Sequence, residues 1–106
     1  YLTVEGDGSL YPCDFYVLDE WKLGDLSRCT VEAALASPTS QTFLAQGRKR
    51  PTECAACPYR LLCRGGCKRD WDASGSNRFC TAYRHFFAYA LPRLQTAAHF
   101  LAQQGR

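Results

Sequence analysis

The run CAACPYRLLCRGGC, from Cys54 to Cys67, places four cysteines within 14 residues, with two, five and three residues between them. Disulfides among neighbours this close would shut only short loops, which stabilise least. The chain carries seven cysteines in all, an odd number, so complete internal pairing is impossible. A secreted domain spends such a density on disulfides and a cytosolic one on metal ligands, and the clustering favours ligands. At 106 residues the chain is one domain in length, and a domain of that size buries only a modest share of its surface. A bound metal would therefore weigh heavily in its stability.

A thiolate centre needs four sulfurs converging on one point, and C-x-x-C is the compact backbone means of presenting two of them. Cys54 and Cys57 form that pair. The PYRLL segment can return Cys63 to them, and Gly65 with Gly66 reverses the chain ahead of Cys67. Two glycines in succession permit left-handed backbone and close approach to a bulky inorganic group. Zinc and an iron-sulfur cluster both accept four cysteines. Structural zinc sites usually show two short pairs with a spacer, whereas this run has one pair, then singletons, then remote Cys13 and Cys80. The arrangement favours iron-sulfur and leaves zinc as the alternative. Six cysteines apart from Cys29 exceed the needs of one site and point to two centres, one of them unfinished.

The net charge is +3, from 13 Lys and Arg against 10 Asp and Glu, too mild to imply a polyanion. The RKR run at 48–50 and Arg60, Arg64, Lys68 and Arg69 read as solvated charge or as compensation beside an anionic group, with no nucleic-acid partner expected. No apolar run approaches the roughly 20 residues of a membrane span, so no membrane role is expected either. There is no methionine, even at position 1, and the expectation is a piece of a longer protein.

Along the chain, YLTVEGDGSLYPC reads as a hairpin with GDG as the turn, Leu10 and Tyr11 on the return strand, and Pro12 ending the ladder. Gly24 is expected in a turn. Thr30 caps a first short helix over VEAALAS, and Ser37 followed by Pro38 begins a second that runs to Gly47. From Arg48 to Phe79 the pattern predicts loops and single turns. A long helix over 81–104 closes the chain and docks through Phe87, Leu91, Leu94, Ala98 and Leu101. Pro92 lies inside it and predicts a kink or break near Tyr89. The fold class expected is small α+β, metal-dominated, with an N-terminal β-hairpin, short helices, an irregular Cys-rich loop and a long C-terminal helix.

The stretches GSLYPCDFYVLDEWKLGDL, CAACPYRLLCRGGC and NRFCTAYRHFFAYALPRL together resemble the C-terminal part of anaerobic sulfatase-maturating enzymes. These are radical S-adenosylmethionine enzymes whose C-terminal SPASM domain carries two auxiliary [4Fe-4S] clusters. The resemblance covers the chain from Tyr1 to about Leu101 and implies that residues 1–106 are such an auxiliary domain. The upstream barrel, with S-adenosylmethionine and the radical-generating [4Fe-4S] cluster, would lie outside it. A parent of this kind oxidises a Cys or Ser of an unfolded sulfatase peptide to formylglycine, is cytoplasmic, and passes electrons to an electron-transfer protein. The fragment by itself would not be catalytic.

Carried over residue by residue, the resemblance gives the second auxiliary cluster a complete ligand set in Cys54, Cys57, Cys63 and Cys80. The first cluster takes Cys13, which closes the G-x4-C element begun at Gly8, and Cys67, with two further ligands upstream of residue 1. Gly24 to Cys29 also reads G-x4-C, but YPCDFY supports the other register, and Cys29 is expected to be a structural thiol. Asp14, directly after Cys13, matches the family's proposed base, a carboxylate able to take a proton from the substrate side chain; by itself it reads as a turn residue. His85 and His99 read as surface or packing residues on the last helix. Trp21 and Trp71 are expected to pack against the cysteine loops, and the neighbouring arginines to offset cluster charge. A related radical enzyme acting on another peptide, or a small zinc-binding interaction module, are the alternative readings.

Overall fold

The computed structural model describes residues 1–105, and the chain divides into two compact units, Tyr1–Lys49 and Arg50 onward. The first unit is built on a three-stranded antiparallel sheet of β1 (Thr3–Val4), β2 (Ser9–Tyr11) and β3 (Gly24–Asp25), in that order. The expected hairpin is present: Thr3 faces Tyr11 and Val4 faces Leu10. Asp7 supports the turn by accepting the Ser9 N–H at 2.9 Å, and β2 stops before Pro12.

β3 departs from expectation. Gly24 lies in a strand opposite Leu10 rather than in a turn. Its glycine is required by close approach, because a Cβ there would stand 2.5 Å from the Cys29 sulfur. Leu10, fully buried, anchors a core with Leu23 and Ala34, against which Leu2 and Cys29 pack. Burying one leucine in this way contributes about 1.5–3 kcal/mol.

The two expected short helices are α1 (Val31–Leu35) and α2 (Pro38–Arg48). Thr30 accepts the Ala33 N–H and Ser37 the Ser40 N–H, both at 3.2 Å, and Pro38 occupies the first turn where its missing donor is not needed. Trp21 meets Tyr16 and Phe43 edge-to-face, at 6.0 and 5.3 Å between ring centres, an arrangement that buries apolar area of all three rings together.

The second unit consists of short turns and one long helix. α3 (Thr52–Ala55) and α4 (Arg60–Cys63) are single turns, followed by a 3-10 turn at Lys68–Asp70 and then α5 (Cys80–Gln104). α5 runs unbroken through Pro92, against the predicted break near Tyr89. The surrounding surface is exposed, so a carbonyl deprived of its partner can be hydrated, and the Arg93 guanidinium both donates to the Tyr89 carbonyl at 2.7 Å and lies over the Tyr89 ring. The expected docking face is covered only in its first half. Phe87 and Leu91 are half-buried, whereas Leu94, Ala98 and Leu101 are exposed. His85 and His99 are exposed on the same helix, as expected of surface residues. Among the described residues no helix is long and apolar enough to cross a membrane.

Candidate metal centre

Within the second unit a cavity of about 440 Å³ carries Cys54, Cys57, Cys63 and Cys80 on its wall. Local backbone explains each placement. Pro51 starts α3, Cys54 sits in that turn, and the Cys57 N–H returns to the Cys54 carbonyl at 3.2 Å, so the C-x-x-C pair closes on itself. α4 begins three residues later and ends at Cys63, whose N–H reaches the Tyr59 carbonyl at 2.9 Å. The chain then turns sharply through three left-handed residues, Arg64 at φ 52°, Gly65 at 86° and Gly66 at 63°. A non-glycine residue in that region costs on the order of 1 kcal/mol, so Arg64 marks where the loop is bent by more than local preference.

Cys80 arrives from the far side as the first residue of α5. Its position is set by a knot of hydrogen bonds around Gly65. The Trp71 indole N–H donates to the Gly65 carbonyl at 2.8 Å, as expected of a tryptophan beside the cysteine loop. Asn77 donates to the same carbonyl at 3.1 Å and to that of Cys67 at 3.4 Å, and its own oxygen accepts the Phe79 N–H at 2.8 Å. Gly66 leaves no room for a side chain, since a Cβ would lie 2.5 Å from the Asn77 amide nitrogen and 2.9 Å from the Tyr83 ring.

Burial pushes the Cys54 thiol up, and Cys80, Glu53, Cys57 and Cys63 add to that effect in the same direction. Four thiolates gathered here would repel one another in the absence of a cation, which is the electrostatic signature of a ligand set. Arg60, Arg64 and Arg84 also line the cavity and supply positive charge towards an anionic occupant. Among the described residues no three His, Cys, Asp or Glu side chains are drawn together around a single-ion point. The donor chemistry, four thiols spread over the wall of one cavity, fits a [4Fe-4S] group. Cys67, exposed at the start of the Lys68–Asp70 turn, is outside that wall.

Cys13 lies in the first unit, at the head of a 3-10 turn over Asp14–Tyr16. The Tyr1 hydroxyl donates to Asp14 Oδ1 at 2.8 Å, the Cys13 thiol donates to the same oxygen at 3.3 Å, and Tyr1 Oη is 3.4 Å from the Cys13 sulfur. The bonds from Tyr1 and then Cys13 hold the exposed Asp14 carboxyl below the usual carboxylate range. The bond with Cys13, followed by that with Asp14, pushes the Tyr1 phenol up. Cys29 is half-buried and packs against the Leu10 core. Sequence reasoning missed Tyr1 and Asn77. The bond from the Phe79 N–H to Asn77 Oδ1 is an ordinary Asx turn, but nothing local marks Asn77 as a partner of Gly65 and Cys67 or Tyr1 as a partner of Asp14.

The chain matches the SPASM family, described as an iron-sulfur cluster-binding domain, over residues 1–58. It is 41% identical over 102 residues to a cysteine-type anaerobic sulfatase-maturating enzyme of Clostridium perfringens, covering 92% of this chain and 28% of that protein. A serine-type anaerobic sulfatase-maturating enzyme of Klebsiella pneumoniae is 36% identical over 94 residues, covering 89% of this chain and 24% of that protein. Among solved structures, native anSMEcpe with bound AdoMet and Cp18Cys peptide superposes with a TM-score of 0.86 at 39% identity, covering 94% of this chain and 29% of that one. The chain thus spans about a quarter of the length of the relatives it matches.

Proposed function

The chain belongs to the SPASM family of iron-sulfur cluster-binding domains, and on that premise we propose that it is the auxiliary-cluster part of a radical S-adenosylmethionine enzyme that oxidises a Cys or Ser of a sulfatase peptide to formylglycine. The observation that carries the reading is the single cavity walled by Cys54, Cys57, Cys63 and Cys80. Similarity to both cysteine-type and serine-type sulfatase-maturating enzymes supports the substrate class and leaves both side chains within it.

In this reading those four cysteines hold the second auxiliary [4Fe-4S] cluster, while Cys13 and Cys67 serve the first with ligands from upstream. A bound cluster supplies a one-electron acceptor close to the reaction. The residues of this chain hold, orient and shield. Arg60, whose guanidinium donates to the Ala55 carbonyl at 2.9 Å, braces the loop between Cys57 and Cys63. Asp14 is assigned the proton-accepting role, with Tyr1 fixing the orientation of its Oδ1. The upstream barrel, S-adenosylmethionine and an electron-transfer protein complete the machinery in the parent.

Anaerobic iron, sulfide and zinc determination, read beside visible absorption, tests the centre. About four iron and four sulfide per chain with a brown band are expected. One zinc per chain and no colour overturns the cluster assignment. In the full-length parent, Asp14→Asn is expected to abolish formylglycine formation on a sulfatase peptide with iron content unchanged.

A further inference from the structure

Cys80 enters the centre 17 residues after Cys63, across a loop rich in Ser, Gly and Asp, yet its fellow ligands sit on tight local turns. A ligand delivered by a loose loop binds weakly, because the ordering entropy of the loop is charged against metal affinity. Something must fix where α5 begins. The Arg78–Asp70 ion pair, at 3.0 Å, is largely solvent-exposed on the arginine side and contributes little on its own.

Half-buried Asn77 is placed to do it. Its two amide bonds run to the carbonyls of Gly65 and Cys67, while its Oδ1 takes the Phe79 N–H and its backbone carbonyl takes the Cys80 N–H at 2.9 Å. One side chain therefore joins the glycine turn after Cys63 to the first turn of α5. The chemistry of its partners fixes the amide orientation, since both groups facing the nitrogen are carbonyls and the group facing the oxygen is an N–H. The amide nitrogen also fills the space that a side chain at position 66 would need.

We infer that Asn77 is the positioning residue of the four-thiol centre: by tying the Gly65–Cys67 turn to the start of α5, it sets where Cys80 stands relative to Cys54, Cys57 and Cys63. The inference rests on the reading of those four cysteines as one centre. Its consequence is kinetic as well as structural. With the clamp cut, Cys80 leaves its iron more often, and a cluster with one site open loses metal to a competing chelator.

The test is iron release from the anaerobically loaded full chain to a ferrous chelator, with the electron paramagnetic resonance spectrum of the reduced cluster taken beside it. Asn77→Asp keeps an oxygen for the Phe79 N–H and replaces the donor by an acceptor facing two carbonyls. Release roughly tenfold faster or more is expected, the usual scale for losing a residue that orients a metal ligand, together with altered g values and unchanged helix content. Asn77→Ser also retains a capping oxygen but cannot reach Gly65, and it decides the matter if the Asp variant fails to load. Wild-type release and spectrum in these variants, while Cys54→Ala fails to load, overturn the inference and leave the four-thiol reading standing. Full loading of Cys54→Ala overturns both.

Discussion

The segment Tyr1–Lys49 and the segment from Arg50 onward are of similar length and are stabilised by different means. The first has a buried core of Leu10, Tyr11, Tyr16, Leu23 and Ala34; the second, among the described residues, has one buried apolar residue, Ala90. The helices of the first start on side-chain caps, Thr30 and Ser37, whereas α3, α4 and α5 have none. In place of core and caps the second unit has an indole, an amide and a carboxylate bonded to loop backbone, and a cavity walled by thiols. The first unit is specified by hydrophobic burial and local propensity. The second is held by polar bonds to loop backbone around a thiol-walled cavity.

The largest expected effect follows from that contrast. Removal of metal, or Cys54→Ala, is expected to abolish amide protection from Cys54 to Cys80 while the sheet of the first unit stays protected and α5 stays partly helical, as hydrogen exchange would read. Unchanged protection in that loop would break the comparison. Next in size is Leu10→Ala, which empties the centre of the first core; a loss of about 2–5 kcal/mol is expected in thermal or denaturant melts. Iron content of the loaded chain should not change.

Gly24→Ala sharpens the comparison further, because the new methyl group would meet the Cys29 sulfur. A loss of roughly 1–3 kcal/mol is expected, recovered in large part when Cys29→Ala is added, with iron content unaltered in both variants. Iron loss on Cys29→Ala would show that this cysteine is a ligand. The smallest effect concerns acid. The Ser27 hydroxyl and N–H hold the Asp25 carboxyl below its ordinary value, so this bond stabilises the first unit above the unfolded-state pKa. The contribution fades as pH falls through the folded-state value, and Asp25→Asn should flatten that part of the acid melting curve.

Much of the first unit was legible because its signals are local. The turn at Gly6–Gly8, the Thr30 cap and the Ser37–Pro38 start each depend on residues a few positions apart. β3 was not legible, since pairing of Gly24 with Leu10 depends on a register across the chain and on a sulfur that arrives from Cys29. The contact of Trp21 with Phe43 was not legible for the same reason, the two rings being 22 positions apart. In the second unit the resemblance grouped Cys54, Cys57, Cys63 and Cys80, which share the wall of one cavity, yet the apolar period of α5 overstated its burial. Leu94 and Leu101 keep the helical period without any covering surface in their own unit. Asn77 was invisible because its four partners are spread over Gly65, Cys67, Phe79 and Cys80, and no spacing rule joins them.

The left-handed run from Arg64 to Gly66 has a consequence for heredity. Every single-base change in a glycine codon that alters the amino acid installs a Cβ, and at position 66 that carbon falls on an amide and a ring. A library of random point variants, sorted for iron content, should therefore return almost nothing at codon 66. Codon 64 obeys the opposite rule: arginine is the strained occupant there, so glycine, a single base change away, should survive the sort well. Two positions of one left-handed run would thus differ sharply in mutational tolerance.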